Sequence, residues 1–200
     1  LSLHPKVIQM PPPIPPRPVG NLVHGHSRPT LVIETFLDYC CPFSAKMFAV
    51  LHNEVMPSFA SDGSGVDWLV QNVPQPWHAQ SSYMHECALA VKAVDESKFF
   101  AASAALFANQ ERFFDSAVMD KTRNQIYDEL VEVVATATQV DAAAVRAQMA
   151  VNVSAADGGG GGGNAGNAVT LAVKWAVKYH RVRGVHVTPT AFLNGIEAPD

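Results

Sequence analysis

The chain has 200 residues, 48% of them hydrophobic and 16% charged, with a formal net charge of −4. That balance supports a sizeable core in one large domain, or one domain with an insertion, and is not the composition of a disordered chain. It lacks the basic excess that marks nucleic-acid or membrane-surface binding, and no apolar run approaches the ~18 to 20 residues that cross a bilayer.

Half of the 14 prolines fall in the first 18 residues, and Pro11 to Pro18 is expected to be extended polyproline II. Thr30 to Leu37 is almost continuous in β-branched, aliphatic and aromatic residues, which reads as a strand buried on both faces and so as a central parallel strand. Asp38-Tyr39-Cys40-Cys41-Pro42 breaks it, and apolar positions 43, 47, 48, 50 and 51 predict a helix from Phe43 to Glu54, with Pro42 in the first turn where no backbone donor is needed. Val66 to Val73 reads as a second strand stopped by Pro74 and Pro76, completing a βαβ unit. From about Ser81 to Arg181 helical spacing recurs near 82–94, 97–108, 122–139, 141–151 and 165–180, and the six glycines Gly158 to Gly163 are expected to form a mobile loop. The last segment, Val185 to Gly195, reads as a turn, a strand that Pro189 opens, and a glycine turn.

The three cysteines, Cys40, Cys41 and Cys87, are too few for a disulfide scaffold, and an odd number leaves one thiol unpaired. Cys41 stands where a buried strand hands over to a helix N-terminus. There the unpaired backbone donors and the positive end of the helix dipole favour a thiolate. Cys40 and Cys87 read as small buried hydrophobes. A Cys40–Cys41 disulfide is disfavoured because neighbouring Cα atoms, ~3.8 Å apart, lie closer than the usual disulfide range.

Phe36 to Ser44, with Cys41-Pro42-Phe43-Ser44 at its end, resembles the active-site segment of DsbA-like thioredoxin-fold proteins, altered from Cys-Pro-x-Cys. Leu106 to Gln110 is similar to a sequence in that family's helical insertion, and Gly184 to Gly195 resembles its cis-proline loop and following strand. Gln75 to His78, with His85 and Glu86, also looks like a eukaryotic-type branch of the superfamily. The resemblance implies an α/β, thioredoxin-like fold with a helical insertion. It divides the chain into a Pro-rich N-terminal arm (1–29), a βαβ part (30–80), a helical insertion (81–181), and the cis-proline loop with the C-terminal strand (182–200). It also implies Cys41 as nucleophile, Thr188-Pro189 as a cis peptide facing it, and Pro42, Phe43, Thr188 and Pro189 as substrate-binding residues.

Ser44 stands where the family's second cysteine would expel a mixed disulfide, so that step needs an outside thiol. The expected function is therefore thiol–disulfide oxidoreduction or isomerisation through one cysteine, with Ser44 donating a hydrogen bond to its sulfur. No cofactor is expected to be bound, glutathione is the expected co-substrate, and the partners are a thiol- or disulfide-bearing peptide or glutathione. Two alternatives are a kappa-type glutathione transferase or isomerase and a redox-inactive thioredoxin-fold binding module. Thr35 occupies the place where such folds often hold a buried acid, and the adjacent Glu34 carries no catalytic assignment, because a one-residue slip reverses the face of a strand side chain. His78, His85 and Glu86 could hold a metal only with a third ligand, and no Cys/His spacing demands one. Lys174, Lys178, Arg181 and Arg183 read as a solvated face, with contact to a glutathione carboxylate as the alternative. The family usually adds a strand and a helix after the Asn194-Gly195 turn, which leads one to expect a truncated C-terminus. An opening at Leu1 suggests a trimmed N-terminus; a removed signal peptide would make the protein secreted or organellar, and otherwise it would be cytoplasmic.

Overall fold

The computed structural model describes residues 21–23, 26, 28–60, 65–151 and 166–198. The polyproline stretch and the six-glycine run lie outside the described residues. In chain order the elements are β1 (Asn21–Val23), β2 (Leu31–Leu37), α1 (Pro42–Val50), α2 (Met56–Ala60), β3 (Val66–Asn72), α3 (Ser81–Val94), α4 (Phe99–Ala108), α5 (Asp115–Val118), α6 (Arg123–Thr138), α7 (Ala142–Gln148), α8 (Thr170–Val182), β4 (Thr190–Leu193) and β5 (Ile196–Glu197).

Among the described residues the strands form one sheet in the order β1-β3-β2-β4-β5. β2 runs parallel to β3, with Leu31 opposite Val66 and Leu37 opposite Asn72, and antiparallel to β4, with Thr35 opposite Ala191. A strand paired on both sides and covered on both faces needs a largely apolar run, and residues 31–37 supply one interrupted only by Glu34 and Thr35. β1 pairs antiparallel with β3 at the sheet edge, a three-residue strand too short to show any alternation in the sequence.

The two faces of β2 meet different cores. Ile33 and Leu37 join the large core with Phe48 of α1, Trp68 of β3 and Met84 and Cys87 of α3, which continues into α4, α6 and α7. Phe36 faces the other way, into a smaller core of Val73, Tyr179, Val185 and Phe192. Phe36 lies stacked on Tyr179 and edge-on to Phe192.

The first helix runs further than the sequence predicts. After Val50 the chain widens into a π-helical stretch, Leu51–Val55, and continues as α2 through Pro57. Pro57 has no N–H, and its ring crowds the carbonyl four residues back, so a wider turn lets the helix continue where an α-turn would break. The helical block is set by local signals. Thr122 and Gln125 form a capping box on α6, and Asp141 caps α7. At the far end Asn194 and Gly195, both at positive φ, close the β4–β5 hairpin, as a tight two-residue loop requires.

Candidate active site

Cys41 is the N-cap of α1, with extended backbone (φ −82°, ψ 119°) and Pro42 at the first helical position. Its carbonyl already accepts the first helical hydrogen bond, from Ala45 N at 3.1 Å, and its own N–H donates to Asp38 O at 3.0 Å. The turn therefore uses its backbone polar groups internally, and the thiol projects at the C-terminal end of the parallel strands β2 and β3. The Thr188–Pro189 peptide is cis. Its Thr188 carbonyl accepts the Cys41 Sγ–H at 3.4 Å, so the loop before β4 closes over the sulfur, which keeps 6% of the cysteine's surface open.

The other two thiols are withdrawn. Cys40 turns inward, its Sγ donating to Met84 Sδ at 3.4 Å, and Cys87 lies fully buried in α3. Burial, aided by the nearby Asp38 carboxylate, pushes the Cys40 thiol far above its ordinary range, and burial alone does the same to Cys87. Both are chemically inert in such surroundings.

Pro42 and Phe43 stand exposed beside Cys41, Phe43 at 71%. Phe43 and Pro189 also border an apolar groove of about 510 Å³ that continues along Met47, Val50, Ala191 and Leu193. Ser44 departs from its expected role. It is fully buried, and its Oγ accepts the Asp38 N–H at 3.2 Å instead of donating to the Cys41 sulfur. The N-terminal turn of α1 wraps back over the end of β2, which brings the hydroxyl to a backbone amide left unpaired by the strand.

Asp38, which the sequence marks only as a strand breaker, organises this end of the sheet. Its side chain is wholly buried. Oδ1 accepts Cys40 N–H at 2.9 Å and the Ser81 hydroxyl; Oδ2 accepts Gln75 N–H at 3.1 Å and lies 2.7 Å from His78 Nδ1. Gln75 reaches Thr188 Oγ1 at 3.5 Å, and Gln110, from the short 3₁₀ turn after α4, donates to Tyr39 O at 2.8 Å and Cys41 O at 3.4 Å. Backbone donors of this kind satisfy a buried carboxylate without a full counter-charge.

His85 lies beneath, 1% exposed, its Nδ1 3.2 Å from Asn72 Oδ1 and its Nε2 3.9 Å from Asp38 Oδ1. Burial pushes its pKa down to about 4, against the pull of Asp38. Glu86 points away into the helical block, bonded to Tyr127 and Arg123, so it cannot join His78 and His85 around one ion. Among the described residues no group of three or more metal-ligating side chains is poised to hold a metal.

On the two opposite faces of β2, Thr35 and Glu34 settle the question of register. Thr35 Oγ1 accepts Trp68 Nε1–H at 2.9 Å on the α1 side. Glu34 faces α8, accepting from Gln71 at 2.7 Å, Tyr179 at 2.9 Å and Arg183 at 3.2 Å. Burial and the Glu34 charge raise the Tyr179 hydroxyl pKa. Of the basic cluster, Arg183 is thus committed internally, with its guanidinium also 4.3 Å from the centre of the Phe192 ring. Lys174 and Arg181 are exposed.

A thioredoxin family model matches residues 18–158, well over half of the chain. The chain belongs to the thioredoxin family. Solved structures carry the same fold with its helical content. A candidate protein-disulfide isomerase from Pseudomonas syringae is 25% identical, with a TM-score of 0.64 and 86% of each chain covered. BdbD from Bacillus subtilis is 15% identical, with a TM-score of 0.61 over 91% of this thioredoxin-family chain and 85% of its own. MdbA, a thiol-disulfide oxidoreductase from Corynebacterium diphtheriae, is 14% identical, with a TM-score of 0.62 over the same shares. No curated protein sequence matches the chain. No helix among the described residues is long and apolar enough to cross a membrane.

Proposed function

We propose that this thioredoxin-family protein is a DsbA-like thiol–disulfide oxidoreductase or isomerase that works through a single cysteine. The observation that carries the reading is the isolation of Cys41: its sulfur lies at a helix N-terminus against Thr188 O, while the inward-facing Cys40 and the buried Cys87 are withdrawn and Ser44 occupies the second position of the motif. The Cys41 thiolate attacks one sulfur of a substrate disulfide, forming the Cys41–substrate bond and releasing the other sulfur as a thiolate. With no internal thiol to expel the adduct, an outside thiol such as glutathione attacks the mixed disulfide, which restores the Cys41 thiolate and carries the substrate away as a new disulfide. The exposed Phe43 and the groove it shares with Pro189 supply the apolar contact surface for the substrate. The eukaryotic-type branch belongs to the same reading, carried by Gln75 to His78 with His85 and Glu86.

The test is exchange of a disulfide-bearing peptide with glutathione as reductant, run on the wild type and on Cys41→Ala, Cys40→Ala and Cys87→Ala. Activity confined to variants that keep Cys41 supports the reading. Turnover that survives Cys41→Ala, or a wild type that never forms an adduct, overturns it; the second result favours a binding module.

A further inference from the structure

The turn that carries Cys41 is gripped from two sides. On the sheet side, Asp38 accepts the Cys40 N–H with Oδ1 and the Cys41 N–H with its backbone carbonyl. The helical block holds the other side. The Tyr39 hydroxyl bonds Ser103 Oγ of α4 at 2.7 Å and its ring packs on Phe107, while the Cys40 thiol donates to Met84 Sδ of α3 at 3.4 Å. Among the described residues, the side chain that reaches the turn's backbone carbonyls is Gln110. It opens the 3₁₀ turn after α4, is 7% exposed, and directs Nε2 to Tyr39 O at 2.8 Å and to Cys41 O at 3.4 Å. A side-chain amide nitrogen carries two hydrogens, so one group serves both carbonyls. Those carbonyls belong to the peptide units before Cys40 and after Cys41, and the amide therefore brackets both cysteines.

We propose that Gln110 is the positioning residue that decides which of the two adjacent thiols reacts: its amide holds the turn so that the Cys41 sulfur faces Thr188 O and the Cys40 sulfur stays inward. For exchange the inference rests on the single-cysteine reading above. Gln110 touches no reacting atom. Its part is geometrical, because attack on a disulfide needs the sulfur aligned close to its target, and a misplacement of about 1 Å can cost about 100-fold in rate. Turning the bracketed segment about its own axis would draw Cys41 Sγ away from Thr188 O and swing Cys40 toward the surface.

The helical insertion thereby takes part in the chemistry. Its Leu106 to Gln110 segment supplies two contacts to the same turn, the Phe107 ring against Tyr39 and the Gln110 amide on the Tyr39 carbonyl. The end of α4 and the reactive turn are set as one unit.

The three cysteines serve as reporters. The full chain as wild type, Q110M, Q110E and Y39F is treated with iodoacetamide, each at the same interval below its own melting temperature, and the labelled sites are mapped; peptide-disulfide exchange with glutathione is measured in parallel. Methionine keeps the length and burial of Gln110 without its donors, and glutamate keeps the shape with an acceptor in the donor's place. In wild type Cys41 alone should be labelled. In Q110M and Q110E exchange should fall about tenfold, short of the loss from a full ångström of misplacement, and Cys40 should become labelled while Cys87 does not. Y39F loses the Ser103 bond but keeps the Gln110 clamp, so it should melt lower and retain the wild-type labelling pattern and an exchange rate within twofold. A Q110M that labels and exchanges like wild type overturns the proposal. So does labelling of Cys40 and Cys87 together, which reports general opening, or a Y39F that behaves like Q110M. If Q110M does not fold, Q110E decides by the same criteria; failure of both to fold makes the residue purely structural and overturns the proposal too. A wild type without Cys41-dependent exchange defeats the single-cysteine reading itself, and the labelling pattern then decides whether Gln110 selects between the thiols.

Discussion

Two buried carboxylates four residues apart on and just after β2 show how the same chemistry serves opposite ends. Glu34 faces α8 and is neutralised by the Arg183 guanidinium, with Tyr179 and Gln71 filling its remaining acceptor sites. Asp38 sits at the strand end and is held by backbone amides, the Ser81 hydroxyl and a histidine. A carboxylate matched to a full cation is a clamp between sheet and helix. One balanced by neutral donors and a histidine ties the turn that carries Cys41 to the segment after β3. The contrast teaches that burial alone does not mark a functional acid; the kind of partner does.

The comparison can be broken at several points. The largest expected effect is that of Asp38→Ala, which strips buried donors on the active-site turn and on the segment after β3 of their acceptor and should cost about 3–5 kcal/mol. Chemical denaturation measures it. A loss no larger than that of Glu34→Ala would put both acids in one class. Next comes acid stability. The folded protein holds His85 at about 4, below its ordinary value near 6.5, so in that interval the unfolded chain binds more protons and stability rises with pH. The contribution, about 3 kcal/mol, is complete above pH ~6.5 and is lost as pH falls toward 4. The stability difference between wild type and His85→Gln, followed across that range, should show this slope. Glu34→Ala should be milder, about 1–3 kcal/mol, because Arg183 is 24% exposed and can turn to water. Its exchange rate in the folded state should match wild type; a large drop would give Glu34 a part in the site. The smallest effect is that of Ser44→Ala, about 1 kcal/mol for one hydrogen bond to the Asp38 amide, with Cys41 reactivity little changed. A severe loss of reactivity would restore Ser44 to the sulfur.

What the sequence makes legible follows the range of the interactions. The central strand, the helix start at Cys41, the helical block and the Asn194–Gly195 turn are local patterns, and residue types at fixed spacing declare them. The fold class and the place of Thr188–Pro189 opposite Cys41 come from motif resemblance. Asp38 stays hidden because its partners Gln75, His78 and Ser81 come from a segment some 40 residues downstream, which only the β2–β3 pairing brings near. A signal is nonetheless present: an acid at the end of a mostly apolar strand, three residues before the cysteine that opens the next helix, needs buried partners. His78 looks in the sequence like any surface histidine, since nothing local announces what holds its ring. The motif places Ser44 in chain order but not in orientation, because the direction of a hydroxyl depends on which amide the end of the strand leaves unpaired. The continuation of the helix through Pro57 is illegible for a similar reason, as a π-helical stretch has no composition of its own.

The most direct test of the central claim is intact-mass analysis after exposure to glutathione disulfide under native conditions. The account predicts one glutathione per chain, located at Cys41 by peptide mapping, absent in Cys41→Ala, and removed by added glutathione. It further predicts that Ser44→Cys no longer retains the adduct, because the introduced thiol expels glutathione and closes an internal disulfide with Cys41. An unmodified wild type, or an adduct on Cys40 or Cys87, would contradict it.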